Sequence, residues 1–402
     1  MITDTLDGVR VDAGAQLFGS MYERFLGLVR EIGLSDRLVR VSGRDALWRE
    51  GRAHEVVYGS VTSMIASGGL PFRTKLRLGS TYVPFLARHA DRLKLHAPER
   101  AAEVGLDDED IATWGRREVD KAFVDSLVYP QLGAYYGALP GETSAGFYHI
   151  LAHYGMDVAL YAVTGGTRSV SDRLAERIEA GGEVRTSTEV TGLEVGETGV
   201  RVETTAGVET FDGAISAVPA PVLRTLAKGL PDTLRQWLEG VRYRPSLSLA
   251  LLLDRSVGVR YFGLSFPRGE MRYVAAIAVQ ENKGVDLVPP GRGMLVVLPT
   301  PETVPELVGL ESREVLDRML PEVARAFPGI QARVQRARVY RWPSGMPTIY
   351  PGYLRHLGRF RSDGPDGFAP LALAGDYLYH PSVEGAVTSA EEAVDRLLAK
   401  LN

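Results

Sequence analysis

The most constraining feature of the sequence is a segment near its end, in which a short apolar run is followed by a Gly-Asp pair and then by a helix start. Residues 371–374 read LALA and predict a buried strand, and residues 384–387 read EGAV and begin a long helical pattern. Gly375 allows a close backbone approach to a ligand, and Asp376 at the end of a strand can accept hydrogen bonds from sugar or ribityl hydroxyls. The helix start presents free N–H groups, which favour negative charge. The pattern predicts a cofactor site or, on spacing alone, an ordinary turn in which Asp376 binds no ligand.

Length and composition exclude several classes of protein. With 402 residues and 45% hydrophobic content, the chain can bury a large core and favours two or three lobes. Its 46 basic side chains against 50 acidic ones give a net charge of −4, so we expect no nucleic-acid partner. The absence of cysteine excludes a thiolate nucleophile and a cysteine-ligated metal. The first residues lack the basic and apolar regions of a secretory signal, so we expect a cytoplasmic location with room for a peripheral membrane contact.

The hydrophobic pattern divides the chain into helical and strand-rich parts. Residues 7–8 (Asp-Gly) predict the turn of a hairpin, and Ser20 is placed to cap a helix. Residues 61–161 are mostly helical in pattern, and a further helix is predicted at 312–327. The clearest predicted strands of the second half lie at residues 184–190, 247–253, 273–279, 294–298 and 371–374. The chain is therefore predicted to be α+β.

The closing segment, residues 373–387, resembles the C-terminal flavin-binding signature of the superfamily of flavin-containing amine oxidases and protoporphyrinogen oxidases. In that superfamily a Gly-Asp or Gly-Glu pair and a Glu-Gly-Ala run follow one another at this distance. Residues 12–16 resemble the loop of the family beside the isoalloxazine, and residues 165–220 resemble the middle of its FAD domain. Residues 127–137 are most similar to protoporphyrinogen oxidases, as is the Arg-Trp pair at 341–342.

The resemblance implies FAD as the cofactor and assigns binding residues to it. Val190 matches the position whose backbone meets the adenine, and Trp342 matches an aromatic wall at the flavin. The full set of implied binding residues is Gly14, Ala15, Gln16, Val190, Trp342, Gly375, Asp376, Glu384, Gly385, Ala386 and Val387.

The resemblance also implies an α+β fold of three parts. The first is an α/β FAD-binding domain of the glutathione-reductase type, built from residues 1–45, 163–225 and 345–402. The second is a helical substrate lobe, residues 46–162. The third, residues 226–344, is the mixed-sheet part of the substrate domain.

The sequence departs from the family in two places. It contains no Gly-x-Gly-x-x-Gly unit of strand, helix and strand, whose glycines seat the pyrophosphate of FAD at a helix N-terminus. We therefore expect an FAD domain that is incomplete at its N-terminus, as in a truncated gene, and a weak affinity for FAD. Residues 245–250 contain no lysine, although amine oxidases of this superfamily usually carry one there, near flavin N5. This second departure counts against a simple amine oxidase.

The expected activity is hydride transfer from an apolar or ring-bearing small molecule to flavin N5, as in a protoporphyrinogen oxidase-like enzyme. No catalytic residue is assigned, because in such sites the cofactor carries the chemistry. The alternatives are an isoprenoid or carotenoid desaturase, an amine oxidase, or a truncated, non-catalytic remnant unable to hold FAD. Residues 62–86 are apolar with interspersed Arg and Lys, which suits either a soluble or a membrane-facing lobe. The substrate, the electron acceptor and the oligomeric state stay open.

Other candidate residues have a structural explanation. His149 and His153 stand four residues apart, which is a metal-ligand spacing, but Ile150 occupies the position where the HExxH pattern requires glutamate. We expect these histidines to line a cleft or to pack between helices, and we expect no metal. Tyr377 and Tyr379 either add to the aromatic wall at the flavin or serve only as packing.

Overall fold

The computed structural model describes residues 1–197, 199–362 and 370–401, with the backbone alone at Leu401. Most of its α-helices precede residue 160 or follow residue 300. They are α1 (Glu23–Glu31), α2 (Val61–Ala66), α3 (Phe72–Arg77), α4 (Val83–Arg88), α5 (Ile111–Glu118), α6 (Lys121–Phe123), α7 (Tyr129–Tyr136), α8 (Ala145–Gly155), α9 (Arg168–Glu179), α10 (Ala220–Leu226), α11 (Asp232–Gly240), α12 (Val304–Leu307), α13 (Ser312–Ala326), α14 (Tyr353–Ser362) and α15 (Val383–Leu401). Helices α2 to α8 confirm the helical character predicted for residues 61–161.

The strands are short except in one large sheet. They are β1 (Thr3–Leu6), β2 (Val9–Asp12), β3 (Phe18–Gly19), β4 (Leu38–Arg40), β5 (Arg44–Arg49), β6 (Arg52–Val57), β7 (Leu160–Val163), β8 (Val190–Val195), β9 (Val200–Thr204), β10 (Gly207–Phe211), β11 (Ala214–Ser216), β12 (Ala227–Lys228), β13 (Tyr243–Leu253), β14 (Gly263–Ser265), β15 (Val274–Val279), β16 (Gly293–Pro299), β17 (Val334–Pro347) and β18 (Leu371–Leu373). The mixture of helix and sheet confirms the coarse fold class.

The large sheet has seven strands in the order β17-β13-β16-β15-β14-β5-β6. Its central strands are buried on both faces, as their continuous apolar sequences require. On one face α13 packs Val315, Met319 and Val323 against the sheet, and all three side chains are fully buried. Strands of this sheet form one wall of the candidate site.

Smaller sheets join parts of the chain that are distant in sequence. β18 pairs in parallel with β11, and the amide of Ala374 continues the pairing by donating to the carbonyl of Ser216 at 2.9 Å. β7 lies between β3 and β4. The strand order β10-β9-β8-β12 forms a separate sheet of short strands. These pairings join the closing segment to residues 214–216 and residues 18–19 to residues 160–161.

Several local predictions are confirmed and two are wrong. The hairpin β1-β2 turns at Asp7 and Gly8, whose φ angles of 45° and 80° lie in the left-handed region that this turn type requires. Ser20 does not cap α1, because its hydroxyl accepts from the amide of Ala159 instead. The strand predicted at 184–190 is also wrong, since β8 begins only at Val190.

Candidate active site

A cavity of about 770 Å³ lies between the large sheet, several helices between α2 and α8, and the closing segment. Its walls come from separate parts of the chain: the loop that contains residues 13–19, helices α2 to α4, residues 131–137, the start of β13, the end of β17 and the N-terminus of α15. A cavity of this size, bounded by several elements, is typical of a site for a cofactor or a small molecule.

Part of the predicted binding set lines this cavity. The lining members of the set are Gly14, Ala15, Gln16, Trp342, Asp376 and Ala386. Gly375, Glu384, Gly385 and Val387 lie behind this wall, and Val190 lies at the start of β8, outside the cavity lining. The structure therefore brings the first and last segments of the set together around one space.

The loop at Gly14 is tied to the large sheet by two hydrogen bonds. Ser248 on β13 donates from its hydroxyl to the carbonyl of Ala13 at 2.9 Å. The amide nitrogen of Gln280 donates to Oε1 of Gln16 at 2.6 Å. A Cβ atom at Gly14 would lie 3.8 Å from the Trp342 ring, so the loop passes close to this indole. Ser248 and Gln280 thus hold the loop in place, although no sequence motif marks either residue.

A buried ion pair lies beneath the same loop. The ammonium of Lys283 donates to Asp12, and both side chains are fully buried. Asp12 Oδ1 also accepts from the amide and the hydroxyl of Thr167 at 2.9 and 3.1 Å, and from Thr3 at 2.6 Å. Burial lowers the pKa of Lys283, whereas Asp12 opposes that shift. The pair joins β2, α9 and the turn after β15, and no sequence pattern identified Lys283 as its partner.

Asp376 is the acid of the closing turn and lines the cavity. Burial raises the pKa of its carboxyl to about 7, and the backbone amides of Tyr377 and of Asp376 itself oppose this shift. Gly375 precedes it because a Cβ there would lie 2.2 Å from the Tyr377 ring, so glycine makes room for packing. Hydrogen-bond donors on a ligand would favour the charged carboxylate at this point.

The Glu-Gly-Ala run at the start of α15 has a more structural role than the sequence suggested. Glu384 is fully buried, and its two oxygens accept from the amides of Arg24 and Phe25 at 3.1 and 2.8 Å, where they cap α1. Gly385 is required because a Cβ there would lie 2.3 Å from the carbonyl oxygen of His380. The amide of Ala386 donates to the carbonyl of Ser382. Ala386 therefore reaches the cavity, and Glu384 holds the helix that carries it.

The two tyrosines of the closing segment pack behind the cavity. Tyr377 is buried against Trp237 and Tyr243, with ring centroids 5.8 and 6.4 Å apart. The guanidinium of Arg361 lies 4.0 Å from the Tyr379 ring centroid. Neither tyrosine is among the residues that line the cavity, and these contacts agree with the alternative in which both serve as packing.

The remaining wall of the cavity contains several tyrosine rings, and one of them is bonded to an acid that is outside the lining. The rings of Tyr58 and Tyr135 meet edge to face at 6.2 Å. Asp45 accepts from the Tyr135 hydroxyl at 3.3 Å and from the amide of Gly263 at 2.9 Å. Burial raises the pKa of Asp45 to about 6, and these two hydrogen bonds oppose the shift. The sequence did not indicate Asp45, since it lies within an ordinary strand pattern.

His149 packs between helices of the helical lobe. Its ring lies 4.4 Å from the Trp114 ring, and its Nδ1 atom is 3.1 Å from the Tyr82 hydroxyl. Burial lowers the pKa of His149 to about 3, so the ring is neutral. His153 meets Tyr154 edge to face at 5.3 Å. Within the described residues, no group of three or more acidic or histidine side chains is placed to hold a metal ion.

Comparisons with known proteins were made for the whole chain. A model of the flavin-containing amine oxidoreductases matches residues 1–398. No curated protein sequence matches the chain. Within the described residues, every helix falls short of the length and apolar character that a bilayer crossing requires.

Solved structures share the fold at low sequence identity. A protein from Exiguobacterium sp. 255-15, provisionally named a protoporphyrinogen oxidase, is 17% identical with a TM-score of 0.75, over 99% of this chain and 90% of its own. A putrescine oxidase bound to putrescine is 19% identical with a TM-score of 0.76, over 99% and 90%. Cyclohexylamine oxidase from Brevibacterium oxydans IH-35A is 17% identical with a TM-score of 0.73, over 98% and 88%. At these identities the likeness concerns the fold.

Proposed function

Because the chain belongs to the family of flavin-containing amine oxidoreductases, we propose that it is a protoporphyrinogen oxidase-like, FAD-dependent oxidoreductase of apolar or ring-bearing small molecules. The family makes FAD the expected cofactor. The observation that carries the proposal is the shared cavity, in which residues 14–16 lie with Trp342, Asp376 and Ala386. When bound, FAD supplies the hydride acceptor, its N5 atom.

The residues of this wall fit a cofactor that combines a flat ring with a hydroxylated chain. The raised pKa of Asp376 reflects a carboxyl that burial has deprived of water. Ribityl hydroxyls would replace that water as hydrogen-bond donors. Gly14 has no side chain beside the Trp342 ring, which leaves the indole open to a flat ring, and Ala386 adds only a methyl group to the lining. Glu384 and Gln280 do not line the cavity. Glu384 caps α1, and Gln280 holds the loop through Gln16.

We also propose the arrangement of domains expected from the sequence, with an FAD domain of the glutathione-reductase type made of residues 1–45, 163–225 and 345–402. The parallel pairing of β11 with β18 supports it, because these strands belong to the second and third of these segments. Part of the last segment, residues 363–369 and residue 402, lies outside the described residues.

The substrate wall supports an apolar or ring-bearing molecule. Its lining includes Leu127, Leu151 and Met156 together with the Tyr136 and Tyr148 rings. The hydroxyl of Tyr148 is already used, since it donates to Gln131 Oε1 at 2.7 Å. A substrate held here would be positioned by ring contacts and by exclusion of water more than by ion pairs.

An amine substrate is a second candidate, favoured by one observation. Asp45 accepts a hydrogen bond from the hydroxyl of Tyr135, a residue that lines the cavity. With a pKa of about 6, most Asp45 carboxyls are ionised at neutral pH, and their negative charge would attract a cationic substrate. Against it stands the absence of lysine from the cavity lining at the start of β13, where Pro245, Ser246 and Ser248 occur.

The test is a flavin titration of the purified chain followed by anaerobic reduction with porphyrinogens, amines and isoprenoids. We expect quenching of FAD fluorescence on binding and loss of oxidised-flavin absorbance with one substrate class. Reduction by amines alone, with an effect of Asp45→Asn on KM, would favour the second candidate. A folded chain that does not bind FAD at any concentration would refute the proposal and favour a non-catalytic protein.

A matched pair of variants locates the site. Ala386 lines the cavity, whereas Ala390 lies one turn further along α15 and is outside the lining. We expect Ala386→Leu to weaken FAD binding about tenfold or more, by filling the wall, and Ala390→Leu to leave it near the wild-type value. Equal effects of both substitutions would show that the flavin binds elsewhere.

A further inference from the structure

The most exposed large apolar side chains of the described residues lie together on α2 and α3. Phe72 is 81% exposed, Leu76 is 61% exposed and Ile65 is 58% exposed. Val61, at 46%, is one turn before Ile65, just as Phe72 is one turn before Leu76. Residues four apart share a helix face. We call these four side chains the apolar ridge.

A single side chain links the two helices of the apolar ridge. The ammonium of Lys75 on α3 donates to the carbonyl of Ile65 at 2.8 Å and also to the carbonyl of Ser67. Both acceptors lie at the C-terminal end of α2, where a cation is favoured by the helix dipole. Lys75 thus ties α3, which carries Phe72 and Leu76, to the end of α2, which carries Val61 and Ile65. Contiguous exposed apolar surface on a folded protein marks an interaction site.

The charge around the apolar ridge has one sign. Acidic residues number 50 among the 402 of the chain, about one in eight, yet none occurs between Val56 and Ala90. The same stretch contains Arg73, Lys75, Arg77 and Arg88, and among the described residues none of these four forms a salt bridge. Asp120 is a carboxylate beside the segment, where it accepts from Thr74. The surface is therefore apolar and basic in a chain that is acidic overall.

The apolar ridge is continuous with the cavity. Val61 and Ile65 belong to both, since they are exposed to solvent and also line the cavity. Lys75 and Val83 are likewise lining residues. The ridge therefore borders an opening of the cavity.

We propose that the apolar ridge docks on an anionic lipid surface, with Phe72 and Leu76 inserted below the headgroups and Arg73 and Arg88 against them. An apolar body with basic flanks is the composition that binds such interfaces, and each basic residue near the surface adds to the attraction. A protein partner would bring an apolar pocket, whereas a side chain that is 81% exposed suits a fluid layer. Given the proposed function, an apolar substrate would pass from the lipid into the cavity without crossing water.

The experiment is flotation of the purified chain with phosphatidylcholine vesicles, with and without phosphatidylserine. We expect co-flotation with the anionic vesicles, weakened by salt. Phe72→Ser combined with Leu76→Ser should reduce the bound fraction about tenfold, because two apolar anchors are lost. The matched control is Val208→Ser combined with Ile178→Ser, at positions 53% and 52% exposed, and it should float like the wild type.

Charge is tested separately from apolar insertion. Arg73→Glu combined with Arg88→Glu should weaken binding to anionic vesicles only, whereas Arg313→Glu, 80% exposed at its side chain on α13, should not. Absence of flotation by a folded wild type, equal losses in both serine pairs, or a ridge-dependent dimer in sedimentation would overturn the proposal. The Ala386→Leu variant should float normally. A failure of flavin binding and a failure of docking are thus distinguishable.

Discussion

Asp376→Asn should make the ligand-free chain more stable and the flavin complex weaker. The reason is that the fold raises the pKa of this carboxyl from its usual value of 3.8 to about 7. A carboxyl whose pKa is raised by folding stabilises the fold fully below its unfolded pKa, and this contribution is lost as pH rises to the folded pKa. For Asp376 the window therefore runs from about pH 4 to pH 7.

The size of the effect follows from the shift. The rise in the pKa of Asp376 from 3.8 to about 7 corresponds to about 4 kcal/mol in the free energy of unfolding, because a tenfold change in proton affinity is about 1.4 kcal/mol. Asp376 lines a cavity and is only partly buried, so solvent screening reduces this to about 2 to 4 kcal/mol. Asparagine has nearly the same shape and no charge. The variant should thus gain little at pH 4.5 and about 2 to 4 kcal/mol at pH 8.

Urea unfolding of both chains without FAD, at pH values from 4.5 to 8, measures this difference. Asp91→Asn is the control, because the Asp91 side chain is 68% exposed. In the same samples, FAD affinity should fall about ten- to a hundredfold, since a hydrogen bond to a charged acceptor contributes about 1.5 to 3 kcal/mol. If the unfolding free energies of variant and wild type differ by the same amount at every pH, Asp376 is not deprived of water. If FAD affinity is unchanged, it does not contact the cofactor.

Three further predictions concern the surroundings of the site. Lys283→Ala should lower the free energy of unfolding by about 3 to 5 kcal/mol, because it leaves Asp12 buried without its cation; a loss below about 1 kcal/mol in urea unfolding would contradict this. Burial lowers the pKa of His380 from 6.5 to about 3. The contribution of the neutral ring to the free energy of unfolding is therefore complete above pH 6.5 and falls by about 2 kcal/mol by pH 5. His380→Gln should flatten the pH dependence of urea unfolding, and an unchanged slope would count against the burial. Gly14→Val should weaken FAD binding about tenfold with little effect on stability, since its Cβ meets only the Trp342 ring; fluorescence titration with unaltered affinity would refute this.

The parts of the fold that sequence predicted were those decided by local chemistry. The Asp7-Gly8 turn depends on two residues that tolerate positive φ, and the strands of the large sheet depend on runs of apolar residues. The strand expected at 184–190 failed because a strand exists only where a partner supplies hydrogen bonds, and sequence does not name the partner. Ser20 failed as a helix cap for a similar reason, because its hydroxyl meets the amide of a residue 139 positions away.

In the candidate site too, local motifs were predicted from the sequence, whereas contacts between distant segments were not. From the motif at 375–386, Asp376 and Ala386 line the cavity. The pattern could not separate residues that face the cavity from those that support it, so Glu384 was expected at the cofactor although it caps α1. Asp45 and Gln280 gave no signal, because no local motif includes them and their hydrogen-bond partners come from distant segments.

The two proposals together constrain how the cavity is filled. Asp376 and the loop at Gly14 offer hydrogen-bonding partners to one ligand, whereas Val61 and Ile65 on α2 offer only apolar contact. The hydroxylated chain of the cofactor needs hydrogen-bonding partners such as Asp376, whereas a lipid-soluble substrate is better matched by the apolar contacts of α2. Because Ser248 and Gln280 fix the loop to the large sheet while α2 and α3 are short helices at the surface, we expect substrate exchange to depend on α2 and α3 and cofactor retention to depend on the sheet. Substitutions in the ridge should therefore alter KM for an apolar substrate without changing the affinity for FAD.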